Sequence, residues 1–444
     1  MIITSGLHID QAPPMRIPFQ FFATAPAFMI IAGLCMAWWH GDMLLTPLVS
    51  ESVTLVHLTV LGWLSMVMLG AMYQMIPVLA GIRVPLLKWA TWVYAMFVIG
   101  VVSILAQIGF SLHRWFLLTA SIGLLVAIVM FFIPIAIALV RTPAKHPTVV
   151  AMRMAILSLA AAMSMGQIFL GEYAHGFLDL DRSAMVGIHL TWGLLGWVAT
   201  LIIGVSFQVL PMFYMMPVFP TLAAGWILTG IGVTLLALLA ALYWGTLGLA
   251  LVAGIPGLLA VVYYGVEILK LVGQRKRKIV DATFRFWQFG LICGAASLAV
   301  LALWPLMDGE WSRYLFGALF MYGFAGSIVL GMLYKIIPFL VWFHRFSRLV
   351  GLADVPMMDD LVPEWSLKWH PILHMAMVAC LVGAAVSYQH LLFIPAGLLL
   401  VVSGGLVAWL IFFALRPKPP EVAQAMDFNS FFKDMPKPGE MKDG

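Results

Sequence analysis

Twelve apolar runs, each about 20 residues or longer, limit what this chain can fold into more than any single residue does. They lie near 17–39, 52–79, 88–110, 114–140, 148–172, 184–211, 220–243, 245–272, 284–306, 313–340, 370–388 and 391–415. A helix of that length crosses the roughly 30 Å hydrocarbon core of a bilayer, and only structures that satisfy their own backbone hydrogen bonds cross it. Of the 444 residues, 63% are hydrophobic and 10% charged, whereas a soluble domain carries roughly a quarter charged residues. The sequence therefore predicts an all-α polytopic membrane protein. One twelve-span domain occupies 1–416, and a charged, Pro-bearing tail at 417–444 is expected to be disordered. No soluble segment is large enough to be a catalytic domain of its own.

Basic residues alternate between the connections. Arg83, Lys88, Arg141, Lys145, the run from Lys270 through Lys278, Arg345, Arg348, Arg416 and Lys418 share one side. Asp42, Glu51, Glu172, Asp179, Asp181, Asp308 and Glu310 share the other. The positive-inside bias then predicts both termini in the cytoplasm and explains the net charge of +5 without a nucleic-acid partner. Residues 1–16 lack the basic start and apolar core of a cleavable signal. Cys35, Cys293 and Cys380 lie in apolar runs with no CxxC or Cys/His spacing, so they read as packing residues.

A pattern recurs three times: Gly-[Trp/Phe], a Gly eight residues after the first, an aromatic three further on and a Pro four beyond that. The copies are Gly62-Trp63, Gly70, Tyr73, Pro77; Gly196-Trp197, Gly204, Phe207, Pro211; and Gly323-Phe324, Gly331, Tyr334, Pro338. They fall in runs two, six and ten, which predicts three quasi-repeated four-helix units fused in tandem. Paired glycines let helices approach closely, and each proline is expected at a cytoplasmic helix end. Packing alone would also account for the pattern.

Histidine inside an apolar run has a partner or a task. His57 and His189 lie at one depth, five to six residues inside the outer ends of runs two and six. Two imidazoles so placed are candidates for the axial ligands of a haem, with Thr59 and Thr191 orienting the rings and Trp63 and Trp197 flanking the macrocycle. The registers differ: His57 precedes its Gly-Trp by five residues and His189 by seven, so Thr191 is the strict counterpart of His57. A bond from each ring to a nearby carbonyl is the plainer alternative. His370 and His374, spaced i, i+4 with His344 potentially close, are a second metal candidate, although Trp369-His370-Pro371 reads more simply as an interfacial helix start. His40, His113, His175 and His390 mark an outer rim. The 29 methionines are scattered through every run and read as packing, not as a copper path.

The string from His57 through Gly62-Trp63, with Gly70-Ala71, Tyr73 and Ile76-Pro77, resembles the haem-binding helix of the catalytic subunit of C-type (cbb-type) haem-copper oxidases. The resemblance implies twelve spans in three quasi-repeats, cytoplasmic termini, a bacterial cytoplasmic membrane, haem b with His57 as a ligand, and a respiratory-chain redox partner or quinol. The family's second histidine, two residues before the one His57 matches, is Leu55 here; 220–243 lacks the copper-site histidines, and so does the core of 313–340. Oxygen reduction is therefore not expected, and copper is only a secondary candidate. Mid-membrane carboxylates are missing as well, since Glu267, Arg153 and Lys335 lie near span ends, so proton uptake is not expected either. The NnrS family of twelve-span haem- and copper-containing proteins is similar in topology, without a shared motif. The reading is a membrane-embedded b-type haem protein for electron transfer, redox or nitric oxide sensing, or haem handling. The alternatives are a twelve-helix secondary transporter and a noncatalytic assembly factor for a respiratory complex.

Overall fold

The computed structural model describes residues 11–40, 49–176, 182–243, 247–276, 282–307 and 311–419. Among these residues there is no strand, and twelve helices are long and apolar enough to cross a membrane. The spans are Arg16–Trp38, Ser50–Ala80, Trp89–Gly109, Trp115–Arg141, Pro147–Ala174, Met185–Tyr214, Thr221–Ala241, Gly248–Gly273, Ala282–Leu303, Trp311–Arg345, Glu364–Ser387 and His390–Leu415, here numbered 1 to 12. This is a polytopic helical membrane protein, and its surface fits that setting: Trp92, Trp226, Leu236, Leu259 and Phe412 are all exposed.

Burial separates a central set from a peripheral one. The apolar windows of spans 2 and 10 are 78% buried and that of span 6 is 72%, against 22% for span 8. The central helices are thus the three that carry the Gly-aromatic-Pro pattern. In each of them the Gly-aromatic pair falls inside a π-helical segment: Leu58–Ser65, Thr191–Ala199 and Ala318–Gly326. A π-turn is rare, and it leaves the backbone wider than an α-turn.

The paired glycines do the same thing in all three helices. A methyl group on Gly62 would lie 2.7 Å from Phe28, on Gly196 2.6 Å from Ser158, and on Gly323 2.6 Å from Cys293. The second glycines repeat this, Gly70 against Phe21, Gly204 against Ala151 and Gly331 against Phe286. Every one of these contacts is with the span immediately before, so hydrogen at Cα is what lets spans 2, 6 and 10 seat on spans 1, 5 and 9. The first and last spans also meet, Gly33 lying against the backbone of Gly397.

Two sequence expectations change. Spans 2 and 6 stop three residues after Pro77 and Pro211, with Gly81 and Met215 in left-handed conformation, but span 10 continues seven residues past Pro338 to Arg345. Span 11 begins at Glu364, six residues before the expected 370. The connection shortens accordingly, and Trp342 Nε1 donates to the Pro356 carbonyl at 2.8 Å, holding the connection against span 10. The tail from 420 onward and the acidic residues Asp42, Asp179, Asp181, Asp308 and Glu310 lie outside the described residues.

Candidate functional site

His57 and His189 come together. Their ring centroids are 6.2 Å apart and the ring planes are inclined at 27°. Each ring is held through Nδ1. His57 Nδ1–H donates to the Val53 carbonyl, one turn back in its own helix, at 2.7 Å, and His189 Nδ1–H donates to the Ala162 carbonyl of span 5 at 2.9 Å. A carbonyl oxygen only accepts, so both rings are fixed as the Nδ1–H tautomer and both Nε2 atoms carry a bare lone pair. Among the described residues neither Nε2 has a hydrogen-bond partner.

Phe169 meets the His189 ring edge-on at a centroid distance of 5.6 Å. Gly166 faces the same ring, where a methyl would sit 3.5 Å from His189 Cε1. The packing is open on the span 6 side of this pair, whereas Leu55, Leu58 and Thr59 beside His57 are buried. From Met185 to Leu195 every residue has intermediate exposure except the exposed Leu190, whereas Gly196 to Gly204 are buried throughout. A helix packed on one side and lipid-bathed on the other shows alternating faces. The outer half of span 6 shows no fully buried face.

The threonines and tryptophans do other work. Thr191 Oγ1 donates to the Gly187 carbonyl at 2.8 Å, and Thr59 Oγ1 pairs with the Tyr322 hydroxyl of span 10 at 2.8 Å. The rings are therefore oriented by Val53 and Ala162, not by Thr59 and Thr191. Trp197 Nε1 donates to Ser65 Oγ at 2.9 Å, tying span 6 to span 2. Trp63 is buried against Gly326 and Tyr322 of span 10, and its Nε1 has no partner among the described residues.

His370 and His374 do not stand at a helix start. Both are fully buried in span 11, with Pro371 inside the helix. The six added residues at the start of span 11 place them about 1.7 turns further along the helix than expected. His370 sits between Tyr334 and Ser403, and His374 between Ser327 and the Tyr322 carbonyl. His344 does not join them; its ring nitrogens contact the Leu340 and Pro13 carbonyls. Of the outer rim, His40 and His390 stack at 5.8 Å, while the His175 side chain lies outside the description.

The donor set at His57 and His189 distinguishes between kinds of metal centre. A bare zinc or copper ion takes three or four protein ligands, and no group of three or more His, Cys, Asp or Glu side chains converges among the described residues. Cys35, Cys293 and Cys380 are free thiols. A haem brings four equatorial nitrogens of its own and needs one or two axial ligands. Two neighbouring imidazoles, 6.2 Å apart at their ring centroids and each with a bare Nε2 lone pair, would be enough protein ligands to hold one.

No family model matches the chain, and no curated protein matches it.

Proposed function

We propose that the chain is a membrane b-type haem protein in which His57 and His189 are the two axial ligands. The observation that carries this reading is the ring pair itself: 6.2 Å between centroids, with each Nδ1 committed to a carbonyl and each Nε2 left with its lone pair. Histidine ligands have this preparation, because the bond at one nitrogen fixes the tautomer and aims the other. Along Met185–Leu195 no residue is fully buried, so span 6 is loosely covered where it carries His189.

When bound, haem would supply a one-electron couple, and two imidazole ligands would favour electron transfer over substrate binding. The protein's share is to hold both rings rigidly and to keep the pair in an apolar setting. The functions that follow are electron transfer, redox or nitric oxide sensing, or haem handling for a respiratory system. Oxygen reduction does not follow, because span 7 has no histidine and span 10 has only His344, one residue before its end, to offer a copper centre. The likeness of 57–77 to the haem helix of C-type oxidases supports the same reading, as do the matched π-segments and glycine seats of spans 2, 6 and 10, which suit three tandem four-helix units. The basic connections support a cytoplasmic side for the end where the chain enters span 1 and leaves span 12, and the likeness to C-type oxidases supports a bacterial inner membrane.

Replacing both histidines with alanine tests the assignment. Haem content, measured as pyridine haemochrome per chain, should fall to background while the protein still inserts; full retention would overturn it. A secondary transporter is the second reading, favoured by the buried polar cluster around His370 and His374. Solute uptake by haem-free proteoliposomes would move it to the front.

A further inference from the structure

The two least buried spans are neighbours in the chain. The apolar window of span 8 is 22% buried and that of span 9 is 33%, whereas every other span is at 39% or more. Span 8 packs by one face. Ala253, Gly257, Ala260, Tyr264, Ile268 and Leu271 are buried; the Gly257 N–H donates to Thr234 Oγ1 of span 7 at 2.6 Å, and Tyr264 Oη pairs with Ser206 Oγ of span 6 at 2.9 Å. The opposite face is bare. Val252, Ile255, Leu259, Val262, Val266 and Leu269 are exposed, and their spacing of three and four residues makes them one continuous stripe. Beside it, a methyl on Gly254 or Gly265 would meet nothing within 4 Å. From Leu259 to Leu269 the stripe is about 15 Å long, the hydrocarbon depth of one leaflet.

This stripe runs directly into positive charge. Lys270 follows Leu269, Arg275 and Lys276 lie at the same end, and Arg285 stands near the start of span 9. Lys270, Lys276 and Arg285 are exposed. The end is held in shape: the Arg275 guanidinium lies 4.6 Å from the centre of the Phe284 ring, and the Lys276 backbone N–H donates to the Met215 carbonyl at the end of span 6 at 3.2 Å. Among the described residues from Glu267 to Arg285, these four side chains are positive and Glu267 alone is negative. Glu267 is paired with Lys270 at 2.7 Å. Span 9 repeats the arrangement, since Arg285, Gln288 and Ile292 are all exposed at a spacing of three and four.

We propose that spans 8 and 9 bind an anionic diacyl phospholipid in the leaflet on the basic side, its phosphate held by Lys270, Lys276 and Arg285 and an acyl chain laid along Leu259–Leu269. Charge complementarity selects this occupant. A phosphate accepts from both ammonium and guanidinium groups, and long basic side chains reach from an apolar surface to the headgroups. A zwitterionic lipid would bring its own cation to the same place. A second copy of the chain fits poorly, because two copies meeting here about an axis along the membrane normal would set identical basic ends against each other at one depth. A neutral apolar helix would cover the stripe and leave the cations unanswered.

Bound lipid is counted directly, so the result does not depend on whether His57 and His189 hold a haem. Full-length protein, delipidated in detergent, is titrated with dioleoyl phosphatidylglycerol or dioleoyl phosphatidylethanolamine, and native mass spectrometry gives the affinity for the first lipid bound. Expected is a preference of at least about tenfold for phosphatidylglycerol. Lys270→Gln, Lys276→Gln and Arg285→Gln together should lower that affinity about tenfold or more. The same charge loss elsewhere on the basic side, through Arg83→Gln, Lys88→Gln and Lys145→Gln, should leave it unchanged. If the first triple variant fails to insert, Lys276→Gln and Arg285→Gln are tested singly, each with an expected loss of about fivefold. Glycerol phosphate, which has the charge without the chains, should not displace the lipid at equal concentration. Equal affinity for the two lipids, equal loss in both triple variants, no loss in either single variant, or displacement by glycerol phosphate would overturn the proposal. So would a lipid-free dimer that the first triple variant dissociates.

Discussion

His189, not Thr191, is the residue that meets His57, with 6.2 Å between ring centroids. Counting back from the glycine pattern singles out Thr191, yet Thr191 bonds its own helix at Gly187. The reason lies between the histidines and the glycines. Leu58–Ser65 is a π-segment of eight residues and Thr191–Ala199 one of nine. A π-turn takes up an extra residue, so the one-residue difference between the two segments accounts for part of the two-residue offset between His57 and His189 and not for all of it.

If the two rings share one haem, removing one leaves an open coordination position. His189→Ala is expected to retain part of its haem and to bind carbon monoxide or nitric oxide, which the wild type binds weakly or not at all. Carbon monoxide difference spectra of the two proteins check this. Equal carbon monoxide binding by both would count against paired ligation.

The glycine seats make a stability prediction. A methyl on Gly204 would lie 2.0 Å from the Ala151 side chain, while Gly225 in span 7 has nothing within 4 Å. Gly204→Leu should therefore lose monodisperse protein on size exclusion, with overpacking costing about 1–3 kcal/mol or more. Gly225→Ala should be indistinguishable from wild type. Similar behaviour of the two would refute the seating role.

Span 5 is capped by an unusual residue. His146 accepts the Thr148 backbone N–H on Nδ1 at 3.2 Å, ahead of Pro147 at the helix start. Partial burial lowers its pKa below the ordinary value. The cap needs the neutral ring, so its contribution is complete above the unfolded-state pKa of about 6.5. As pH falls from there through the lower folded-state pKa, the unfolded chain binds the proton first and the contribution is lost. His146→Ala should cost about 1 kcal/mol at neutral pH and flatten the loss of thermal stability between neutral and mildly acidic pH. An unchanged pH slope in the variant would contradict this.

Trp197 and Ser65 tie the central spans 2 and 6 together by one buried hydrogen bond of 2.9 Å. Ser65→Ala strands the indole N–H and should cost about 1–3 kcal/mol, more than Trp197→Phe combined with Ser65→Ala costs beyond its packing loss. A double-mutant cycle in detergent unfolding measures the coupling; none beyond error would remove the tie.

Hydrophobicity made the twelve spans legible, because a bilayer leaves few alternatives to a helix of apolar residues. Eleven of them begin close to where the apolar runs begin. Span 11 does not, since Glu364 and Lys368 lower the hydropathy of its first turns. That one misplacement put His370 and His374 at an interface and concealed a buried polar chain. The chain was further hidden by its chemistry: its members are hydroxyls and imidazoles drawn from three spans, and a search for mid-membrane carboxylates passes them over. His57 and His189 were legible as polar residues in apolar runs. The carbonyls of Val53 and Ala162 that aim them were not, because any residue can supply a backbone oxygen.

The most direct measurement is the reduced-minus-oxidised visible spectrum of the purified full-length protein, with pyridine haemochrome giving haem per chain. The account predicts close to one b-type haem per chain with the sharp reduced bands of paired imidazole ligands. No haem after expression with adequate haem supply would contradict it and leave the His57–His189 pair without the cofactor its geometry fits.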